Sequence, residues 1–266
     1  MSWEEAVRSL RDDPTQLALV EACFFDDPLI DAARRYRDCG EWRAVRNLIG
    51  SRGAGRAALD VGAGRGISSF ALAKDGWRVS ALEPDPSDFV GAGAIRSLAG
   101  ESGHRIEAVQ DWGESLPFAD RAFDLVHARQ VLHHAHDLEA LSKEMARVLR
   151  PGGVYVCTRE HVISKEEDLD AFLDSHPLHH LYGGEHAYTL DRYLSALTSA
   201  GLVVERALGP WDSDIKLFPM TIEDIRQKIA SRLLIPARAL PAGVVRAIGR
   251  RMNTPGRSYS FVGVKE

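Results

Sequence analysis

Three glycines, at 62, 64 and 66, alternate with other residues directly after the apolar run Ala57–Val61, and one carboxylate, Asp60, lies inside that run. Small and β-branched residues over Ala57–Val61 suit a buried strand. Ile67, Phe70, Ala71 and Ala73 then recur at helical spacing. A strand therefore stops, turns on glycine and gives way to a helix. The first N–H groups of a helix lack internal partners and carry about half a positive charge, so the turn favours an anionic group. Missing Cβ atoms let that group approach the backbone.

Further polar side chains fall where later strands end. Glu83 closes the strand Trp77–Leu82, and a carboxylate there accepts two hydrogen bonds from vicinal ribose hydroxyls. Asp111 and Trp112 follow the short strand Ile106–Gln110, and Arg129 ends the strand Phe123–Arg129. His133 and His134 come next, and His161 follows the strand Val154–Thr158. Counted from Gly62, the sixth position is Ile67 where a dinucleotide fingerprint needs glycine, which argues against a nicotinamide enzyme.

Asp60-x-Gly62-x-Gly64-x-Gly66 resembles motif I of class I S-adenosylmethionine-dependent methyltransferases. Asp111 to Phe118 is similar to that family's D-A-x-x-L-P-F segment, with Trp112 departing from the usual small residue. Phe123-Asp124-x-Val126, Leu132-His133-His134 and Glu144-x-x-Arg147-Val148-Leu149-x-Pro151-Gly152-Gly153 resemble its small-molecule (type 11, UbiE-like) branch. The resemblance is strong over residues 55–160. It implies S-adenosylmethionine as cofactor, with Asp60, Gly62, Ala63 and Gly64 around it, and Glu83 on the ribose with Pro84 beside it. It further implies that Asp111 receives the adenine amino group, that the Trp112 N–H meets a ring nitrogen, and that Arg129 contacts the methionyl part.

The implied reaction is in-line methyl transfer to a small-molecule acceptor through oxygen, nitrogen or carbon. Alignment of nucleophile, methyl and sulfur supplies about 7–11 kcal/mol of such a barrier. A hydroxyl acceptor gains roughly 10²–10⁴-fold from a general base. His133, His134, His161 and His186 are the candidates, with Glu160 and Tyr188 as alternatives. His176-x-x-His179-His180 with His186 is a histidine-rich stretch, but no cysteine or carboxylate completes a familiar spacing, so no metal is expected. The alternative reading is a catalytically silent protein that binds S-adenosylmethionine as a regulator or partner.

Positioning these residues requires alternating strands and helices. That pattern predicts an α/β fold: a Rossmann-like, seven-stranded, mostly parallel sheet with an antiparallel last strand and helices on both faces. Residues 1–50 read as an N-terminal helical segment, with a Ser2/Glu5 capping box and Asp13-Pro14 and Asp27-Pro28 as helix starts. Residues 51–266 read as the methyltransferase domain. Its core spans 55–160, its variable substrate region about 160–256, and a helical insertion over 211–256 is a candidate cap. A helix of small residues is expected over 86–100, ended by Gly100.

Net charge is −5, so global electrostatics give no reason to expect a nucleic-acid partner. The three cysteines form no C-x-x-C and suit a reducing compartment, and no signal peptide or membrane span is expected, so the cytoplasm is the expected location.

Overall fold

A computed structural model describes residues 1–50 and 55–266. The linker read over Ser51–Arg56 lies, over 51–54, outside the described residues. The strands are β1 (Ala57–Val61), β2 (Arg78–Leu82), β3 (Ile106–Val109), β4 (Phe123–Arg129), β5 (Leu149–Ile163), β6 (Tyr188–Thr189), β7 (Leu202–Leu208) and β8 (Arg257–Lys265). Their spatial order is β3-β2-β1-β4-β5-β8-β7, with the two-residue β6 added off that path against β5. β1 pairs in parallel with β2 and β4, and β4 in parallel with β5; β8 is antiparallel to β5 and β7. The expected mixed sheet is present, with β6 as an additional short strand.

The chain leaves β1 toward β2 and β3, then returns to place β4 on the other side. The order reverses between β1 and β4, and a crevice opens at such a switch point beyond the carboxyl ends of the strands. Side chains alternate between sheet faces with a period of two. Ala58 and Leu125 face one core with Trp42, Phe70 and Leu72; Leu59, Val61, Val126 and Ala128 face another with Leu141, Met145 and Tyr193. Asp60 and His127 are register partners and share the first face.

The helices are α1 (Trp3–Asp12), α2 (Leu17–Cys23), α3 (Leu29–Asp38), α4 (Gly40–Ile49), α5 (Ile67–Lys74), α6 (Ala92–Ser102), α7 (Leu138–Val148), α8 (Leu169–Ser175), α9 (Pro177–Tyr182), α10 (Leu190–Ser199), α11 (Ile222–Arg232) and α12 (Ala242–Arg250). The Ser2/Glu5 capping box forms on α1. Pro28 rather than Asp27 stands at the N-cap of α3, because the Asp27 carboxylate is held by Arg11 and Arg65. The expected helix over 86–100 starts later, at Ala92. Asp85 accepts the Ser87 N–H and Ser87 Oγ accepts the Phe89 N–H, and such local side-chain bonds compete with the helix. Gly100 sits inside α6, which ends at Gly103 with φ +67°.

β5 is also longer than the expected Val154–Thr158. Its pairing with β8 continues through Glu160 and His161, which therefore lie within the strand instead of after it.

The N-terminal helices do two jobs. α3 and α4 place Tyr36, Trp42 and Val45 on the first sheet face. α1 and α2 pack their Leu10 and Val20 against Leu178 of α9, and Trp3 lies 5.0 Å from the Tyr182 ring. The insertion carrying α11 and α12 is helical, with a small core of Ile225, Ala230, Leu240 and Val245. Among the described residues, no helix is long and apolar enough to cross a membrane.

Candidate active site

A cavity of about 630 Å³ opens beyond β1, β2 and β4. Ligand sites typically measure about 300–1,000 Å³. Its walls come from the glycine loop, the Glu83–Pro86 turn, the start of the Gln130–His136 segment, the N-terminal helices and α9. Among the described residues, none from the insertion lines it, so closure over the site falls to α1, α2 and α9 rather than to the insertion.

The loop between β1 and α5 has positive φ at Gly62, Gly64 and Gly66 (+58°, +54° and +81°). A Cβ built at Gly64 meets nothing within 4 Å, so the backbone there faces open space; at Gly62 it would meet Val131 Cγ2 at 2.7 Å. Ala63 donates its N–H to the Leu82 carbonyl at 2.9 Å, which ties the loop to β2. Asp60 is buried at the cavity wall; its two oxygens meet His127 Nδ1 at 2.7 Å and the Ser69 hydroxyl at 2.6 Å. Asp60 therefore fixes the strand tip to β4 and α5.

Glu83 lines the cavity at the tip of β2 and is largely buried. Its Oε2 accepts the Gly64 N–H at 2.7 Å and its Oε1 the Asp85 N–H at 3.0 Å. Each oxygen retains a second lone pair for a ligand hydroxyl. Burial pushes the Glu83 carboxyl up to about 7, against the two N–H bonds that pull it down. The folded chain thus holds this proton more tightly than the unfolded chain, and the associated stability falls as pH rises from about 4.5 through about 7. Glu83→Gln cannot titrate. Its stability relative to wild type should rise between pH 5 and pH 8 by up to about 3 kcal/mol in denaturant titrations; a pH-independent difference would contradict the shift.

Pro84 and Trp112 also line the cavity, whereas Asp111 does not. The Asp111 carboxylate accepts the Trp112 N–H at 2.8 Å, so the pair expected on adenine is here bonded to itself. Trp112 is 56% exposed, and its ring packs against His136 with centres 5.2 Å apart.

Arg129, at the tip of β4, lines the cavity and donates from Nε to Glu41 Oε1 at 2.7 Å. Its guanidinium lies 5.2 Å from the Tyr36 ring centre, and its buried Nη2 has no protein partner. Burial opposes its charge, yet Glu41 outweighs this and holds Arg129 above its ordinary value. Glu41 also receives Arg159 Nη1 at 3.3 Å. Arg65, inside the glycine loop, donates to the Phe24 and Asp26 carbonyls at 3.1 and 2.9 Å, drawing the turn between α2 and α3 against the site. Glu41 and Arg65 carried no motif in the sequence.

The histidines divide. His134 lines the cavity; its Nδ1 lies 3.0 Å from the Gly184 carbonyl. His133 and His161 are buried behind it, and His176 stands at the start of α9. Glu185, from the loop after α9, reaches toward all four: its Oε2 lies 3.7 Å from His133 Nε2 and 3.9 Å from both His134 Nε2 and His161 Nε2, and its Oε1 lies 4.0 Å from His176 Nδ1. Glu160 holds His133 Nδ1 at 2.7 Å. Burial depresses the basicity of His133 and His161 strongly and brings His176 down to about 4, while burial raises Glu185. His186 stacks on Tyr188 with ring centres 4.3 Å apart and lies outside the cavity lining, and His180 Nε2 meets the Asp174 carbonyl at 2.7 Å. Glu185 was missed in the sequence because its partners lie as far back as residue 133.

A sheet of this order, with a glycine loop and the Glu83 carboxylate beside its switch-point cavity, has the fold of the solved methyltransferases it resembles. Residues 59–157 match the family described as Methyltransferase domain. An uncharacterized methyltransferase of Mycobacterium avium (strain 104) is 39% identical over 115 residues, covering 43% of this chain and 42% of the relative. One from Mycobacterium sp. (strain JLS) is 41% identical over 102 residues, 38% of each chain. The chain thus matches about two fifths of the length of these curated relatives. Among solved structures, geranyl diphosphate C-methyltransferase from Streptomyces coelicolor A3(2), in complex with Mg2+, geranyl-S-thiolodiphosphate and S-adenosyl-L-homocysteine, superimposes with a TM-score of 0.63 at 16% identity. The match covers 92% of this chain and 84% of that one. A putative sarcosine dimethylglycine methyltransferase from Galdieria sulphuraria gives a TM-score of 0.58 at 21% identity, over 91% and 90%. The cyclase SpnF gives 0.59 at 22% identity, over 88% and 80%. At these identities the solved structures establish the fold.

Proposed function

We propose that this protein transfers a methyl group from S-adenosylmethionine to a small-molecule acceptor. The observation that carries the reading is the convergence of Gly64, Glu83 and Arg129 on one cavity. The fit to the cofactor rests on the open space over Gly64, the free lone pairs of Glu83 and the unpartnered Nη2 of Arg129. Bound S-adenosylmethionine supplies a methyl group made electrophilic by the sulfonium. The glycine loop admits the ligand to the backbone, Glu83 accepts from the ribose hydroxyls, and Arg129, fixed by Glu41, offers Nη2 to the methionyl carboxylate. Trp112, at the cavity wall, would meet the adenine, and Asp111 would accept the adenine amino group only on giving up the Trp112 N–H.

The cavity lining also includes apolar Phe24, Phe25 and Leu178 and polar His134 and Glu185. An acceptor with an apolar body and one polar head suits this wall. Of the candidate histidines, His134 lines the cavity, His133 and His161 are buried behind it, and His186 lies outside the lining.

Gly64→Val tests the site directly. A branched side chain enters the open space over the loop and is strained at φ +54°. Titration calorimetry should show binding of S-adenosylmethionine to wild type and at least about a 100-fold loss in the variant, whose circular dichroism stays native. Retained affinity, or preferential binding of NAD by wild type, would overturn the assignment. Release of S-adenosylhomocysteine with candidate acceptors separates an enzyme from a silent binding protein.

A further inference from the structure

We propose that Glu185, with histidines drawn from His133, His134, His161 and His176, forms a binding site for one divalent transition-metal ion, of the zinc or ferrous class, on the inner wall of the cavity. Hydrogen-bond polarity is the reason. A carbonyl oxygen only accepts, so the His134 Nδ1 facing Gly184 and the His161 Nδ1 facing Gly256, at 3.1 Å, both carry the proton. Glu160 accepts the backbone N–H groups of Val131 and His133, so it acts as an acceptor toward His133 Nδ1 as well. Three imidazoles are thereby set in one tautomer, with Nε2 presenting a bare lone pair.

All three Nε2 atoms have a carboxylate oxygen as neighbour. They lie within 3.7–3.9 Å of Glu185 Oε2, and His133 Nε2, His161 Nε2 and Glu185 Oε2 are buried with no hydrogen-bond partner. His176 Nδ1, likewise unpartnered, faces the other oxygen at 4.0 Å. Neutral nitrogens and a carboxylate converging without a proton between them repel; a cation at their centre turns every contact attractive. Within each of the sets His133/His134/Glu185 and His161/His176/Glu185, the ligand atoms lie within 4.8 Å of one another. Ligands about 2.1 Å from a tetrahedral ion stand about 3.4 Å apart, so the side chains of each set draw in around the ion by roughly an ångström.

Imidazole with one carboxylate suits zinc or iron and disfavours magnesium or calcium. A single carboxylate offsets part of one dication's charge, and a second ion would leave a large buried positive charge beside Lys216, whose ammonium already acts on His133, His161 and His176. Glu160 is the outer partner that orients His133. His134 and Glu185 line the cavity, so the ion's open position faces the acceptor. It would there take a hydroxyl or carboxylate oxygen as ligand and lower the pKa of a bound hydroxyl, whose proton leaves to solvent. That role rests on the methyl-transfer reading; binding of the ion does not.

The test uses the full chain, stripped with a chelator, dialysed and titrated with Zn2+, with bound metal measured by atomic emission. Wild type should hold about one equivalent, and Co2+ in its place should give the visible absorption of a nitrogen-ligated site. Glu185→Gln and His161→Gln should each weaken Zn2+ binding by more than the 10- to 100-fold expected for the outer partner in Glu160→Gln. His180→Gln, outside the cluster, should bind as wild type does. The proposal is overturned if folded wild type takes up less than about a tenth of an equivalent at micromolar Zn2+, a result independent of any variant's folding. It is equally overturned if folded Glu185→Gln binds as tightly as wild type. S-adenosylmethionine titrated into the stripped wild type reports separately on the cofactor site: cofactor binding without zinc uptake removes only the metal site, and zinc uptake without cofactor binding removes only the methyl-transfer reading.

Discussion

Glu83→Ala should weaken binding of S-adenosylmethionine by about 10²- to 10⁴-fold, from the loss of two charge-assisted hydrogen bonds worth about 1.5–3 kcal/mol each. The structure adds a second contribution to that loss. Glu83 also receives the Gly64 and Asp85 N–H groups, so it holds the glycine loop against the turn that follows β2. Alanine removes the ligand's acceptor and the brace of the loop together. Glutamine keeps one acceptor oxygen and should lose less affinity than alanine. Calorimetric titration of both variants, with thermal melting to confirm folding, separates these contributions. Wild-type affinity in a folded Glu83→Ala protein would show that the ribose lies elsewhere.

Glu41→Ala should destabilise the protein by about 3–5 kcal/mol, the usual cost of removing one partner from a buried ion pair. Glu41 is fully buried on α4 and faces two buried guanidiniums, Arg129 on β4 and Arg159 on β5. Burial pushes its carboxyl up, but the two arginines outweigh this and keep it below the ordinary glutamate value. Without it, two cations remain in the interior with no counter-charge. For a chain of this size the midpoint of thermal unfolding should drop by about 10 °C. Denaturant titration at neutral pH measures the same loss, and a change under about 1 kcal/mol would show that water screens the cluster. The consequence reaches the site, because Arg129 loses the contact that fixes its guanidinium at the cavity wall.

These two residues show how differently the site could be read from the chain. Glu83 was legible because a glycine loop and a strand end at fixed spacing leave one place for a carboxylate. Glu41 was not, since an acid on an amphipathic helix is ordinarily a solvated charge and nothing near it in sequence says otherwise. Asp60 was legible as a strand-tip carboxylate, but its bonds to His127 and Ser69 depend on the register of β1 on β4 and on the approach of α5. Trp112 lines the cavity, whereas Asp111 does not, its side chain being turned back on the Trp112 N–H.

The sequence by itself determined the alternation of strands and helices, the glycine turn and the strand ends, because each is a local pattern written at a period of two or 3.6 residues. It also determined that polar groups collect where strands one to four finish. Only the tertiary structure decided that α1, α2 and α9 cover the cavity while the insertion stands away from it. Only packing brought Glu185 within 4 Å of histidines that reach back to residue 133. The reason is geometric: a metal-binding or ion-pairing cluster is a coincidence of distant side chains in space, and no periodicity along the chain records which loops will meet.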